Sequence, residues 1–399
     1  MTAQETRLEA DGFVPFFRSY TRTWIHAVAT AGLTAFGTLT IVHNWFAALA
    51  LAVYVVPPIA LYLRYRSRDQ RATQPADSEA DSSADAESAV GEEPRERRGW
   101  HTVDVPTDAT LRDVVVGTNG VYAVGDGGIV LAATDDSRDA TDRNGDSGDD
   151  WTVVLEDGPA AGGNDLRGVD TTAAGEAVWI AGDSGSLGRI DAATGRHTDY
   201  TAPEDVTDNW LGVAVGGERD TETILLITGS GAVLRGRYRD DGLEWTGPDK
   251  PGSGSSLSGV ALAGDVGYCC DTNDGVFETT DGGDSFDRIG LEGADGTLTD
   301  VATTGQGDCP VSADDGVVHR YDGTQWTPDR VLDGVLSGIA RRDERTAVCA
   351  DDGHVYERDG PTAAWDRSDP DVSTPLLSVS IGSNRTVAVG ESGTVLERG

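Results

Sequence analysis

The alternation of apolar and polar positions between residues 99 and 399 predicts short β-strands separated by tight turns. Short apolar runs alternate with clusters of Gly, Asp, Ser and Asn, which is the period of strands rather than of helices. The last stretch, Thr386-Val-Ala-Val-Gly-Glu-Ser-Gly-Thr-Val-Leu-Glu-Arg398, predicts two strands joined by a Gly-Glu-Ser-Gly turn. Similar stretches occur six more times, so the region is a sevenfold internal repeat.

Each repeat has the same parts in the same order. The leading apolar pairs are Leu111/Val114, Leu166/Val169, Trp210/Val213, Leu257/Val260, Leu298/Val301, Leu336/Ile339 and Leu376/Val379. The turn glycines that follow are Gly128, Gly185, Gly231, Gly275, Gly316, Gly353 and Gly393, and the closing aromatics are Trp151, Tyr200, Trp245, Phe286, Trp326 and Trp365. Turn glycines are separated by 37 to 57 residues. Four strands in about 40 residues is typical of a β-propeller blade.

The seventh repeat lacks its aromatic strand because only six residues follow Gly393. Trp100 precedes Leu111 by 11 residues, the same spacing as between Trp365 and Leu376. We therefore expect the strand near Trp100 to complete the last blade and to close the ring without an open sheet edge. The sequence predicts an all-β, seven-bladed β-propeller over residues 99–399.

Residues 23–63 contain no Asp, Glu, Lys or Arg. A bilayer crossing needs about 20 apolar residues, so this run is long enough for two. A break at His43-Asn44 predicts two transmembrane helices, at about 23–43 and 45–63, after a cytoplasmic segment at 1–22. A soluble helical hairpin is the alternative, and the absence of an amphipathic face disfavours it.

Arginines flank the predicted membrane hairpin on both sides, including Arg18 and Arg22 before it and Arg64 and Arg66 after it. The positive-inside bias then places both ends, and the propeller, in the cytoplasm of a cell-membrane protein. Residues 64–98 are first basic and then acidic, with seven acids and no base between Pro75 and Pro94. This composition is typical of a disordered linker.

The chain carries 68 acidic and 31 basic residues, a net charge of −37, and Lys250 is its only lysine. This charge disfavours nucleic acid as a partner. An acidic surface almost without lysine indicates adaptation to high salt, where screening removes self-repulsion. A surface built for one cationic partner is the alternative.

The sequence offers no metal-binding motif and implies no cofactor. Cys269, Cys270, Cys309 and Cys349 form no Cys-x-x-Cys pair, so buried free thiols are expected, with a disulfide left open. The insertion Asp135–Asp150 holds seven aspartates but lacks the glutamate of a calcium loop, so a solvated loop is favoured over a calcium site. Carboxylates at Asp126, Asp183, Asp314, Asp351 and Glu391 are explained by turn chemistry, with cation binding as the alternative.

The residue after each leading apolar position could point into a central channel if its strand is the innermost. These residues are Arg112, Arg167, Leu211, Ser258, Thr299, Ser337 and Leu377. Arg112 and Arg167 would then form a basic spot on adjacent blades, suited to a carboxylate or an acidic peptide of a partner. Salt bridges to neighbouring aspartates are the alternative role for both arginines.

The fourth repeat contains Thr279-Thr-Asp281-Gly-Gly283-Asp-Ser285-Phe286, which matches the Asp-box pattern Ser/Thr-x-Asp-x-Gly-x-Ser/Thr-Trp/Phe. With this box, residues 99–399 resemble the BNR/Asp-box propellers, and within them the photosystem II assembly and stability factor-like proteins. The resemblance implies a structural role for Thr279, Asp281, Gly283, Ser285 and Phe286. It also implies assembly or stabilisation of a membrane complex.

The predicted function is therefore a membrane-anchored, non-enzymatic scaffold, in contact with the lipid bilayer and with an unidentified protein partner. The alternatives are a glycosidase- or sialidase-like hydrolase and a sensor of a small ion or ligand. Hydrolysis in these families needs an arginine cluster with a Tyr nucleophile and its Glu partner, or else a carboxylate pair. No arginine triad stands at matching positions of the repeats, which disfavours the hydrolase.

Overall fold

The structure is a computed structural model, and it describes residues 99–133, 151–239, 242–291, 293–370 and 372–399. In these ranges the strands form seven four-stranded antiparallel sheets. The innermost strand of each sheet contacts that of the next, and the first contacts the last. The predicted all-β, seven-bladed propeller is confirmed.

Strand bounds follow the predicted repeat. β1 is His101–Thr102 and belongs to the seventh blade. Blade 1 is β2 (Leu111–Gly117), β3 (Gly120–Gly125), β4 (Val130–Ala133) and β5 (Thr152–Leu155); blade 2 is β6 (Leu166–Thr171), β7 (Ala177–Gly182), β8 (Leu187–Asp191) and β9 (His197–Asp199). Blade 3 is β10 (Trp210–Gly216), β11 (Thr223–Thr228), β12 (Val233–Arg239) and β13 (Gly242–Asp249); blade 4 is β14 (Leu257–Ala263), β15 (Val266–Asp271), β16 (Val276–Thr279) and β17 (Asp287–Arg288).

The remaining blades are built in the same way. Blade 5 is β18 (Leu298–Val301), β19 (Cys309–Ala313), β20 (Val317–Tyr321) and β21 (Trp326–Arg330); blade 6 is β22 (Leu336–Arg342), β23 (Arg345–Ala350), β24 (Val355–Asp359) and β25 (Asp366–Arg367). Blade 7 is β26 (Leu376–Ile381), β27 (Thr386–Gly390), β28 (Val395–Arg398) and β1.

The ring closes where the two ends of the propeller meet. β1 pairs antiparallel with β28, with His101 opposite Glu397 and Thr102 opposite Leu396. The Val103 amide then donates to the Val395 carbonyl at 3.0 Å. The predicted closure of the last blade by a strand from the other end of the propeller is confirmed.

The antiparallel pairing gives the ring two distinct faces. In blade 1, Leu111 pairs with Gly125 and Gly117 pairs with Gly120, so each innermost strand runs from one face to the other. We name the face where the innermost strands begin the upper face, and the face where they end the lower face. β28 runs from the upper to the lower face, so residue 101 of β1 lies at the lower face.

The core lies between neighbouring blades and not at the ring centre. The seven leading apolar residues are buried: Leu111, Leu166, Trp210, Leu257, Leu298, Leu336 and Leu376. One apolar cluster joins Leu111 and Leu131 of blade 1 to Val387 and Val395 of blade 7. The four cysteines are buried and free, and burial raises the pKa of the Cys270 thiol to about 12.

Six of the seven predicted turn glycines have a left-handed backbone, with φ between 67° and 85°. Gly275 is the exception, and Asp274 before it takes the positive φ of 61°. The cause is Asp271, whose Oδ1 accepts the Asn273 and Gly275 amides at 2.8 Å and shifts the turn by one residue.

Among the residues that the structure describes, no helix has the length and apolarity needed to span a bilayer. The predicted transmembrane helices at 23–43 and 45–63, the linker at 64–98 and the whole Asp135–Asp150 insertion lie outside the described residues.

Candidate binding site at the upper mouth of the channel

A β-bulge occurs near the start of each innermost strand. In blade 1 the register shifts between Leu111 and Asp113, which leaves Arg112 as the extra residue. The same shift recurs after Leu166, Trp210, Leu257, Leu298, Leu336 and Leu376. A bulge re-aims the side chain of its extra residue, and here it does so seven times around one axis.

A cavity of about 180 Å³ lies at the upper mouth of the channel. All seven bulge residues line it: Arg112, Arg167, Leu211, Ser258, Thr299, Ser337 and Leu377. The wall is therefore divided around the ring. Two arginines of blades 1 and 2 face hydroxyl side chains of blades 4 to 6, and a leucine separates the two groups on either side.

Each arginine is held by an aspartate of its own blade, and Arg112 also lies near an aspartate that precedes β6 of blade 2. The Arg112 Nε contacts Asp126 Oδ1, and its Nη2 lies 3.8 Å from Asp165 Oδ2. Arg167 binds Asp183 through two parallel bonds, Nε–Oδ1 at 2.5 Å and Nη2–Oδ2 at 2.9 Å. The Asp183 carboxylate raises the pKa of Arg167.

These salt bridges match the alternative role that the sequence leaves open for the arginines. About 30% of each arginine side chain remains exposed, so the two groups stay accessible from the cavity. The turn carboxylates Asp126 and Asp183 are engaged by Arg112 and Arg167, as turn and salt-bridge chemistry requires.

In two blades the residue after the bulge is an aspartate that accepts a backbone amide of the next blade. In blade 1 it is Asp113, whose Oδ2 accepts the Val169 amide of blade 2 at 2.8 Å. Its Oδ1 accepts the Ser378 hydroxyl of blade 7 at 2.7 Å. In blade 5 it is Asp300, whose Oδ2 accepts the Ile339 amide of blade 6 at 3.0 Å. These carboxylates join adjacent blades.

A third buried carboxylate lies two positions deeper in the strand. Asp170 of blade 2 accepts the Thr171 amide through Oδ1 and the Val215 amide of blade 3 through Oδ2, the latter at 2.6 Å. Ser380 holds the same position in blade 7, and its hydroxyl accepts the Val116 amide of blade 1 at 3.0 Å. Polar side chains between innermost strands are thus part of how blades are fixed.

Burial raises the pKa values of these carboxyl groups. Desolvation outweighs the hydrogen bonds from Ser378, Val169 and Val114 and raises the pKa of Asp113 to about 6. Desolvation likewise raises the pKa values of Asp170 and Asp300 to about 7. Carboxyl groups with shifted pKa values near a cavity often mark active sites. Each of these three carboxyl groups instead accepts backbone amides from two blades and so joins those blades.

The Asp-box of blade 4 forms a loop closed by its own side chains at the lower face. Asp281 Oδ1 accepts the Thr279 hydroxyl at 2.8 Å and the Ser285 amide at 2.9 Å, and Oδ2 accepts the Ser285 hydroxyl at 2.6 Å. The Gly283 amide, at φ 84°, donates to Thr279 Oγ1. Phe286 packs partly buried against the cluster between blades 3 and 4. The arrangement stabilises the loop and lies away from the upper mouth.

Within the described ranges, no group of three or more His, Cys, Asp or Glu side chains is arranged to hold a metal ion. The calcium alternative for the Asp135–Asp150 insertion falls on residues outside those ranges.

A comparison of the sequence with protein-family models and with curated proteins finds no match. Many solved structures are similar in fold. YCF48 from Cyanidioschyzon merolae is 16% identical, with a TM-score of 0.55 over 75% of this chain and 98% of that one. A structure of YCF48 bound to D1 peptide is 14% identical, with a TM-score of 0.57 over 76% and 96%.

The WD40 repeats of RRP9 are similar to the same degree, with 11% identity and a TM-score of 0.60 over 76% of this chain and 98% of that one. At such identities the similarity shows the fold. The chain is a seven-bladed β-propeller.

Proposed function

We propose that the chain is a membrane-anchored, non-enzymatic propeller that presents a rigid face to a protein partner and serves the assembly or stability of a membrane complex. The observation that carries the proposal is the upper mouth, where seven bulges direct seven side chains into one polar cavity. A mouth built from seven blades is a rigid platform, since each side chain is fixed by the strand that bears it.

The chemistry of the mouth favours a short protein segment with an acidic group. Arg112 and Arg167 offer guanidinium N–H groups on one side, and Ser258, Thr299 and Ser337 offer hydroxyls on the other. Charge-assisted bonds from arginine to a carboxylate are strong and directional. YCF48, which has the same fold, has a structure in which it is bound to D1 peptide, and this supports a peptide as the partner by analogy of fold.

The wall of the mouth does not favour hydrolysis. Asp113 and Asp300 are the carboxylates that line the described part of the cavity. The side-chain oxygens of each aspartate accept hydrogen bonds from one backbone amide of its own blade and one of the next blade. A glycosidase needs one carboxyl positioned as acid and another as nucleophile or base across the scissile bond, so we assign these two to blade packing.

Membrane anchoring rests on the uncharged run at 23–63, and we propose that the propeller faces the cytoplasm. All four cysteines are buried, so thiol labelling would not report on sidedness. Protease added to intact cells is the better probe. The propeller should resist it until the cells are opened, whereas digestion in intact cells would reverse the proposed orientation.

Affinity purification of the full chain from native membranes tests the binding role. The double variant Arg112→Ala/Arg167→Ala should lose the co-purified partner, while Arg196→Ala, at an exposed arginine in the lower-face loop between β8 and β9, should keep it. If both variants retain the same partners, the upper mouth is not the binding surface.

A further inference from the structure

We propose that a second cavity, at the lower face between blades 6 and 7, binds a small oxyanion such as a carboxylate or a phosphate. Its volume is about 260 Å³, and three of the chain's 31 bases, Arg345, Arg385 and Arg398, lie in its wall. Asp359 is the one carboxylate side chain among the described residues that line it.

Sequence comparison of the repeats shows no arginine triad, but the structure brings three arginines together. Arg345 begins β23 and Arg385 immediately precedes β27, so these two hold equivalent places 40 residues apart. Arg398 ends β28, a third strand. Because the three arginines do not share one repeat position, only the contact between blades 6 and 7 reveals the cluster.

Glutamates hold the guanidinium groups from behind the cavity wall. Arg345 Nη2 lies 3.5 Å from Glu357 Oε1, and Arg398 Nη1 lies 2.6 Å from Glu357 Oε2. Arg385 Nη2 lies 2.7 Å from Glu397 Oε1. Both glutamate side chains are 11% exposed and neither lines the cavity.

Two indole groups also donate to these glutamates. The Trp100 indole donates to Glu357 at 3.0 Å, and the Trp151 indole donates to Glu397 at 2.9 Å. Arg345 Nη2 also donates to Thr386 Oγ1 at 2.9 Å. The arginines are thus oriented before any ligand arrives, which lowers the entropic cost of binding.

The number of guanidinium groups differs between the two mouths. At the upper mouth, Arg112 and Arg167 pair with Asp126, Asp165 and Asp183, none of which lines the cavity. At the lower cavity, three guanidinium groups pair with Glu357 and Glu397 behind the wall, and Asp359 lies in the wall itself. Each guanidinium has five N–H donors in a planar fork that matches carboxylate and phosphate oxygens. A small oxyanion is therefore the ligand class that the lower cavity fits.

Isothermal titration of the full chain with inorganic phosphate, and separately with acetate, tests the site and distinguishes the two chemistries. Arg398→Gln should weaken binding of the preferred anion by about tenfold or more, the loss of a charge-assisted hydrogen bond. The exposed Arg196→Gln should leave it unchanged. Absence of binding of either anion to the wild-type chain, or loss of binding in Arg112→Gln instead, would overturn the proposal.

Thermal unfolding provides a second measurement that does not depend on the variant folding well. A specific anion should raise the wild-type Tm beyond an equal ionic strength of chloride, since it binds only the folded chain. If chloride raises Tm equally, the effect is general screening and the site does not exist.

Discussion

The Trp100 indole Nε1 donates to Glu357 Oε2 at 3.0 Å, across 257 positions of the sequence. Trp100 directly precedes β1, the strand that closes blade 7, and Glu357 lies in β24 of blade 6. The Trp151 indole makes the equivalent bond to Glu397 across the next seam, between blades 1 and 7. Two successive interfaces between blades at the closure are therefore each joined by a Trp–Glu hydrogen bond.

Trp100→Phe should destabilise the full chain by about 1.5 kcal/mol, because a hydrogen bond to a charged group is lost while the apolar ring is kept. The free energy of unfolding in urea measures the effect. Trp326→Phe is the matched control, since that indole donates to a neutral carbonyl of Ile289 at 3.3 Å and should cost less. Equal losses in the two variants would contradict a special role for the Trp100–Glu357 bond.

Most of the fold could be predicted from the sequence because blade packing is encoded by a repeated pattern. The leading apolar residues, such as Leu111 and Leu376, are fully buried as expected, and the spacing of Trp100 predicts the closing strand. The bulge at Arg112 could not be predicted from the sequence, because it adds a residue to one strand without changing the spacing of the apolar residues. The inter-blade role of Asp113 could not be predicted either, because its amide partner Val169 is 56 positions away in the sequence.

Gly168→Ala should destabilise the chain by about 2 kcal/mol, within the usual range for overpacking. Gly168 follows the blade 2 bulge, and a Cβ there would lie 2.8 Å from the Val213 amide nitrogen of blade 3. That neighbour is backbone and cannot move without shifting the blade. Gly99→Ala is the control, since no atom lies within 4 Å of its Cβ position. Urea unfolding with similar midpoints for both variants would show that the blades can separate to admit a methyl group.

Asp281→Ala should open the Asp-box loop and cost about 1 kcal/mol at neutral pH, an amount kept small because the carboxylate is exposed. Slight burial raises the pKa of Asp281, but hydrogen bonds from Ser285 and Thr279 outweigh it and lower the pKa to about 2. The stabilising contribution is therefore present above about pH 4 and is lost as pH falls towards 2. Urea unfolding at pH 7 and pH 3 should show the difference between wild type and variant shrinking. A difference that stays constant with pH would contradict this role.

Asp170→Asn should change how the stability of the chain depends on pH. Burial raises the pKa of Asp170 to about 7, against about 3.9 in an unfolded chain, so protonation favours the folded state. The stability that this carboxyl contributes is fully present below about pH 4 and is lost as pH rises through 7. Relative to the variant, the wild-type chain should lose on the order of 2–4 kcal/mol between pH 4 and 8. Urea unfolding at fixed salt measures it, with the exposed Asp295→Asn as control. A wild-type minus variant difference that is flat with pH would mean that Asp170 stays ionised, held by the Val215 and Thr171 amides.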